Sequence, residues 1–348
     1  MMKPVRFGIV STAKIARDWV IPAMKAVPEC DVVAISSRDP ERGARVAAEF
    51  NIPRSYASLS DLLKDETVEA VYVPTPNNQH VDDAIAAARA GKHVLCEKPL
   101  ALDAAEARRL AAVQLETGVE ISEAFMVRYH PRWLAAREII RSGRLGRVTQ
   151  IHATYSVVND NPQDIRFQSE LGGGALGDVG VYPITAARFL FGAEPIAATA
   201  TFEKLSPDGV DIAVAGLLEF PENRNLLFSG ALLQAWAHWI MVIGTLGWME
   251  IPVAVWPSIK QETVIRVRKR DDMFDQDVEV IRIPPANQYE HEVRDFARAV
   301  RGEIEQPWPI GDAVAEMQIL DAIRKSAAKQ ARIQIHQQRP PVAEIFCR

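Results

Sequence analysis

His93-Val-Leu-Cys-Glu-Lys-Pro-Leu100 is a short apolar run that ends in a cation and a proline. Residues 94–97 predict a buried strand, set after a helix that stops at Gly91. Lys98 then stands at the strand's C-terminal end, and Pro99 turns the chain away, because it has no N–H for a ladder and restricts the residue before it. In an open α/β sheet, ligands bind in the crevice outside the carboxyl ends of the strands. A lysine there either pairs with Glu97 on a solvated loop or serves a ligand, and the tripeptide alone allows both.

Working outward from this strand, the chain alternates. Strands are predicted at 5–10, 31–36 and 70–73, and helices at 16–26, 40–50, 79–90 and 104–117. Strand–helix alternation with short links implies parallel strands and right-handed crossovers. Residues 1–124 therefore predict a Rossmann-type, doubly wound parallel sheet that binds a nucleotide.

The first βα turn, Gly8-Ile-Val-Ser-Thr-Ala-Lys-Ile-Ala16, is where glycines let a backbone approach a pyrophosphate at a helix N-terminus. Here Ser11, Ala13 and Ala16 occupy the glycine positions. The turn is either an ordinary tight βα link or a phosphate site in which the Ser11 and Thr12 hydroxyls act as donors. The second strand ends in Ser36-Ser37-Arg38, where a reader of NAD would carry an acid for the ribose 2′-hydroxyl. Asp39 precedes Pro40 and reads as an N-cap, its carboxylate committed to backbone amides. Arg38 and Arg42 suit a 2′-phosphate, or are solvated arginines at a helix start. After the third strand, Pro74-Thr-Pro-Asn-Asn-Gln-His80 forms a stiff loop in which Thr75, Pro76 and Asn77 lie where a cofactor passes and Asn78 can cap the next helix. His80 reads as a cofactor contact or as a structural hydrogen-bonder.

From residue 125 the texture changes. Ala124-Phe-Met-Val-Arg-Tyr-His-Pro follows a fifth short strand, and Pro131 opens a helix to about Arg141. Alternating runs at 148–157, 196–202 and 212–220, with further candidates at 226–233, 239–243, 248–251, 263–267 and 278–283, predict a large, mostly antiparallel open sheet. Turn residues such as Ser206-Pro-Asp-Gly209 join them. Residues 125–348 thus read as an α+β substrate and oligomerisation domain. Within it, Leu171-Gly-Gly-Gly-Ala-Leu-Gly-Asp-Val-Gly-Val-Tyr182 becomes helical and stops at Gly192. Its glycines permit unusual backbone angles or close approach of a ligand. Asp178 and Tyr182, four apart, share a face if the segment is helical; the pair is either a cap and a half-buried aromatic or part of a site.

Composition narrows the class. The 348 residues suit two domains, and 48% hydrophobic with 24% charged residues is ordinary for a globular chain. A net charge of -5 without basic runs argues against nucleic acid. Cys30, Cys96 and Cys347 are widely spaced and show no metal-ligand pattern, so no metal is expected and a reducing compartment is. The N-terminus carries no secretory pattern, and residues 231–249 are interrupted by polar residues and glycines, which reads as β-structure and not as a membrane span. The expectation is a cytoplasmic protein.

Glu97-Lys98-Pro99, the Pro74-Thr-Pro-Asn-Asn loop, the Gly172–Tyr182 segment and Gly244-Thr-Leu-Gly-Trp-Met-Glu-Ile-Pro252 together resemble the Gfo/Idh/MocA oxidoreductases, over nearly the whole chain. The resemblance implies an NAD(P)-dependent dehydrogenase or reductase acting on sugars or related polyols such as xylose or glucose. Tyrosine at 182, where many members place histidine, is similar to glucose–fructose oxidoreductase, NADP-dependent xylose dehydrogenases and dihydrodiol dehydrogenases. The turn Ser11-Thr12-Ala13-Lys14-Ile15 also resembles that branch, which implies that it holds the dinucleotide without the glycines.

By the same resemblance, Tyr182 is the acid–base group. Its free pKa of ~10 lies about three units above neutral pH, and a lysine cation nearby favours the ionised form. Lys98 is that cation and also contacts substrate and nicotinamide ribose; Asp178 orients substrate or partners the lysine. Glu97 and Arg128 join the cofactor contacts, and Arg166 the substrate contacts. Dihydrodiol oxidation, keto-sugar reduction and a non-catalytic sugar- or NADP-sensing regulator are the alternatives. Tryptophans 236, 239 and 248 lie in strands with no evident covering helix, which predicts a homodimer or homotetramer joined through the C-terminal sheet.

The cofactor expectation is NADP in preference to NAD. An arginine–phosphate contact of ~1.5–3 kcal/mol corresponds to roughly ten- to a hundredfold in affinity. Replacing Arg38 with alanine is therefore expected to weaken NADP by that factor while sparing NAD. Fluorescence titration checks it, and equal wild-type affinities for the two cofactors contradict it.

Overall fold

The computed structural model describes residues 3–207, 209–272 and 276–336. Strands β1 (Val5–Ile9), β2 (Cys30–Ser36), β3 (Arg54–Tyr56), β4 (Ala70–Val73), β5 (His93–Glu97) and β6 (Ile121–Ala124) form a parallel sheet in the order β3-β2-β1-β4-β5-β6. The connection reverses between β1 and β4, which sets the ligand crevice beyond the carboxyl ends of these strands. β4 is buried at every position. Both faces of a parallel sheet are covered, so its run is continuously apolar and does not alternate.

The intervening helices are α1 (Ile21–Ala26), entered through a π-type turn at Ala16–Val20, then α2 (Pro40–Glu49), α3 (Leu59–Leu63), α4 (His80–Arg89) and α5 (Ala104–Thr117). Asp39 caps α2 as expected, accepting from the Arg42 amide at 3.0 Å. β3 and α3 have no counterpart in the sequence reading. Arg54-Ser-Tyr56 is an edge strand without a buried position, so no apolar run announces it.

In the second part, α6 (Pro131–Arg141) starts at the expected proline, followed by β7 (Val148–Val158), α7 (Val181–Phe191), β8 (Ala197–Lys204), β9 (Asp211–Phe220), β10 (Arg224–Ala231), β11 (Leu233–Gly244), β12 (Gly247–Ile251), β13 (Thr263–Lys269) and β14 (Glu279–Ile283). Two helices, α8 (Gln288–Val300) and α9 (Ile310–Lys329), and the short β15 (Ile333–Gln334) complete the description. The large sheet runs β14-β13-β12-β11-β7-β10-β9-β8-β15, antiparallel at every described pairing except β7 with β10. Residues 231–249, whose polar interruptions argued against a membrane span, form most of the β11–β12 hairpin. No helix among the described residues is long and apolar enough to cross a membrane. Asp208, in the turn expected at 206–209, lies outside the described residues, as does Cys347; Cys30 and Cys96 are buried thiols.

Contacts group the chain into one unit of Met1–Tyr129 with Asn287–Val314, and a second of His130–Ala286 with the chain from Ala315 on. Reading in chain order placed a single division after residue 124, with α8 beyond it. In the structure α8 packs back on the Rossmann sheet: Phe296 meets Phe7 at 6.0 Å and Tyr289 stacks on Trp19 at 5.7 Å. Just after α8, Arg301 grips Glu69 through two nitrogens, at 3.0 and 2.8 Å.

Burial opposes the ionisation of Glu69, but Arg301 and the Arg6 amide outweigh it and bring the carboxyl down to about 2. A depressed carboxylate contributes stability above its unfolded pKa of ~4.3, and that contribution disappears as pH falls through about 2. Glu69→Gln is thus expected to lower stability by about 1–2 kcal/mol at pH 7. Melting curves should show the deficit constant above pH 5 and closing towards pH 2; a pH-independent deficit contradicts the pairing as its source.

Candidate active site

In the first unit, the residues singled out from the sequence lie at or after the carboxyl ends of β1, β2, β4, β5 and β6. Their hydrogen bonds separate those that face outward from those that hold the turns. Ser11 donates to the Pro74 carbonyl at 3.3 Å and accepts from the Ala13 amide at 3.1 Å. Its hydroxyl thus ties the turn to the loop after β4. The Thr12 carbonyl accepts from Arg17 at 3.2 Å and from Arg42 at 3.3 Å, so Arg42 ties the first turn to α2. Ser37 accepts from the Asp39 amide, and Lys14 pairs with Asp18. Arg38 is exposed at the end of β2, where Asp39 is already spent on its cap. Asp83 lies within reach of Arg38's charge, and burial raises its pKa.

The turn after β5 is held from several elements. Tyr72 donates to Glu97 Oε1 at 2.5 Å, and the Lys98 amide donates to Oε2 at 3.2 Å. The Lys98–Pro99 peptide is cis. The Pro99 carbonyl sits 2.8 Å from His80 Nδ1, and the Leu100 amide donates to Glu123 at 2.9 Å. Burial raises the Glu97 carboxyl, while Tyr72 and Lys98 pull it back.

The His80 ring is buried, and Nε2 faces the Thr75 carbonyl at 2.8 Å. Burial lowers its pKa although two carbonyls favour the protonated ring; in the neutral ring one nitrogen donates, to the Pro99 or to the Thr75 carbonyl. Arg128 is held inside the first unit. It is buried, 2.9 Å from Asp312 and 3.4 Å from Glu123, with Phe125 and Trp308 against its guanidinium.

In the second unit, Asp178 lies in a π-type turn, Leu176–Gly180, which feeds α7. Arg166 Nε donates to Asp178 at 2.6 Å and Nη1 to Asp164 at 3.1 Å, and the Asp178 charge holds the guanidinium firmly protonated. The glycine run serves the chain itself. Gly174, at φ +124°, donates its amide to the Arg166 carbonyl, and a Cβ there would meet Asp211 at 2.5 Å. On β10, a Cβ at Gly230 would meet the Gly180 amide at 3.1 Å, so the turn before α7 rests directly on the sheet.

Tyr182 is buried, with its ring edge-on to Tyr155 at 5.0 Å. Tyr155 is a residue the sequence reading missed, together with Trp256 and His238. Trp256 donates its indole N–H to the Tyr155 hydroxyl at 2.6 Å, and His238 lies 5.9 Å from the Tyr155 ring. Burial, then the Asp178 charge, push the Tyr155 pKa up. A signal existed: Ile151, Ala153, Tyr155 and Val157 alternate on the buried face of β7, and a hydroxyl there needs a partner.

Comparison with known proteins places these features in a family. Residues 5–125 match the oxidoreductase family with an NAD-binding Rossmann fold, and residues 133–250 match the GFO/IDH/MocA C-terminal domain. An uncharacterized oxidoreductase of Rhizobium meliloti is 39% identical over 94% of this chain and 98% of its own. A D-xylose 1-dehydrogenase (NADP(+)) of Haloferax volcanii is 35% identical over 94% of this chain and 99% of its own. A 3-ketoreductase from Actinomadura kijaniata, solved with NADP and TDP-benzene, superposes with a TM-score of 0.87 at 31% identity, covering 93% of this chain and 98% of that one.

Proposed function

The chain belongs to the Gfo/Idh/MocA oxidoreductases, and from that membership we propose that it transfers a hydride between NADP and a hydroxyl-bearing carbon of an aldose or related polyol. When bound, the cofactor supplies the nicotinamide that takes or gives the hydride. Arg38 would hold the 2′-phosphate, with the turn 11–15, the loop 75–77 and Lys98 along the remainder. The fit rests on the exposed guanidinium at the end of β2 with the Asp39 carboxylate spent on α2.

Tyr182 takes the hydroxyl proton in oxidation and returns it in reduction, and Lys98 favours its ionised form. The observation that carries the polyol reading is Arg166 held between Asp178 and Asp164. One cation against two carboxylates leaves a net negative, hydrogen-bonding patch, which suits neutral hydroxyls and repels a diphosphate. That charge balance favours a free sugar over a nucleotide-linked one such as the 3-ketoreductase's TDP ligand suggests. The aromatic group Tyr155, Tyr182 and Trp256 favours a second reading, an aromatic trans-dihydrodiol as substrate. A panel of pentoses, hexoses and a dihydrodiol, followed by absorbance at 340 nm, separates them; no turnover of any sugar overturns the aldose reading.

Lys98→Ala and Tyr182→Phe are each expected to cut turnover by about 10²–10⁴. The double variant should lose little more than the worse single one, because groups sharing one proton transfer are non-additive. NADP affinity should survive Tyr182→Phe. A Tyr182→Phe enzyme that keeps more than about a tenth of its turnover removes tyrosine from the mechanism.

Pairing of two copies through the large sheet is supported by the face that α7 does not cover. Trp239 and Leu227 there are 38% and 43% exposed, beside the half-buried Met241, Ile243 and Trp248. Apolar area of that kind usually marks an interface. Light scattering is expected to give at least a dimer at micromolar concentration, and a monomer contradicts it.

A further inference from the structure

Arg132, the second residue of α6, is fully buried, and no carboxylate among the described residues neutralises it. Burial pushes its pKa down to about 10. Burying an unpaired cation is costly, and an apolar side chain of the same length would fill the volume more cheaply. What the guanidinium adds is a fork of directed donors. Nη1 reaches the Pro252 carbonyl at 3.2 Å and the Thr263 hydroxyl at 2.6 Å, and Nη2 reaches the Ala254 carbonyl at 2.7 Å.

The two carbonyls flank Val253, whose φ is +51°. A β-branched residue resists that conformation, at a cost of order 1–3 kcal/mol, and such strain persists only where the surroundings impose it. The Val253 side chain is 46% exposed, so its own burial does not impose it. Arg132 grips the backbone on both sides. Beyond the strained residue, the Ala254 amide donates to the His238 carbonyl at 2.6 Å, and the Val255 and Trp256 amides approach His238 Nδ1 at 3.4 Å. These amides favour the ring tautomer with its proton on Nε2. Trp256 then donates to Tyr155, whose oxygen must accept because an indole N–H only donates. The Tyr155 proton is thereby aimed away from Trp256, on a ring that packs against Tyr182.

We propose that Arg132 is a positioning residue: it holds the strained segment 252–256 so that Trp256 and His238 orient Tyr155 as a donor beside Tyr182, forming one wall of the polyol site. The proposal rests on the reading of Tyr182 as the acid–base group. Lysine offers a point charge that does not span both carbonyls, so Arg132→Lys should loosen the segment, and Val253→Gly, which adopts a positive φ freely, should restore it.

Hydrogen exchange on the full-length protein reads the segment without any substrate. In Arg132→Lys, the amides of 254–256 should exchange faster while α7 and β7 stay protected, and adding Val253→Gly should recover most of the protection. With the sugar turned over, Arg132→Lys should raise KM about tenfold, the loss of one hydrogen bond's worth of orientation, at unchanged NADP affinity. Trp256→Phe should raise KM similarly with the exchange of 254–255 unaltered.

Unchanged exchange in Arg132→Lys, or unchanged KM in both single variants, overturns the proposal. So does a double variant that fails to fold, since Arg132 would then support far more than this segment. If the wild type oxidises no polyol, the aldose reading fails separately, while exchange still decides what Arg132 holds.

Discussion

The backbone from Glu97 to Leu100 is fastened at successive groups: the Glu97 carboxylate by Tyr72 and the Lys98 amide, the Pro99 carbonyl by His80, the Leu100 amide by Glu123. Each fastener comes from a different place, respectively β4, the turn itself, the start of α4 and β6. A single exposed ion pair on a loop contributes little, because water competes for both charges. Buried bonds to backbone polar groups are different, since losing a partner leaves an unsatisfied group at a cost of about 1–3 kcal/mol. The lysine at the end of β5 therefore sits on backbone whose displacement would strand several buried groups together.

The second unit solves a related problem with apolar packing. Every residue of α7 is buried, so the helix cannot slide or rotate without exposing a large side chain. Gly230 lets the turn before it lie on the sheet, and Arg188 anchors its far end through two bonds of 2.8 Å to Glu194. Tyr182 is held at one end of this rigid rod. The neighbouring Tyr155 is held by a polar contact from Trp256, in a segment that also contains a strained valine. Rigid helix and strained segment meet at Tyr155, where a small change in geometry alters the direction of a proton.

Electrostatics separates the roles of the arginines. Arg128, Arg132 and Arg188 are buried and build the structure, Arg301 joins α8 to the Rossmann sheet, and Arg38 remains exposed at the sheet's ligand-binding end. Arg166, midway between these extremes, is balanced by two aspartates and shapes the charge of its surroundings without carrying a net positive one.

From the sequence alone, the alternating strands and helices up to Ala124, the Asp39 cap, the helix opening at Pro131 and the alternating runs of the large sheet are legible. All of these are local: a period, a cap or a missing N–H acts within a few residues. The return of α8 to the first sheet is not legible, because its partners Phe7 and Glu69 lie more than two hundred residues away. For the same reason sequence picks out His80, Arg128 and Ser11 as polar residues in the right places without naming the groups they bond. Tyr155, Trp256 and Arg132, which no motif marks, are brought together only when β7, the 252–256 segment and α6 pack. Residue type and spacing determine which chemistry the chain carries; which donor meets which acceptor is decided by long-range packing, because a hydrogen bond depends on distances that sequence neighbours do not set.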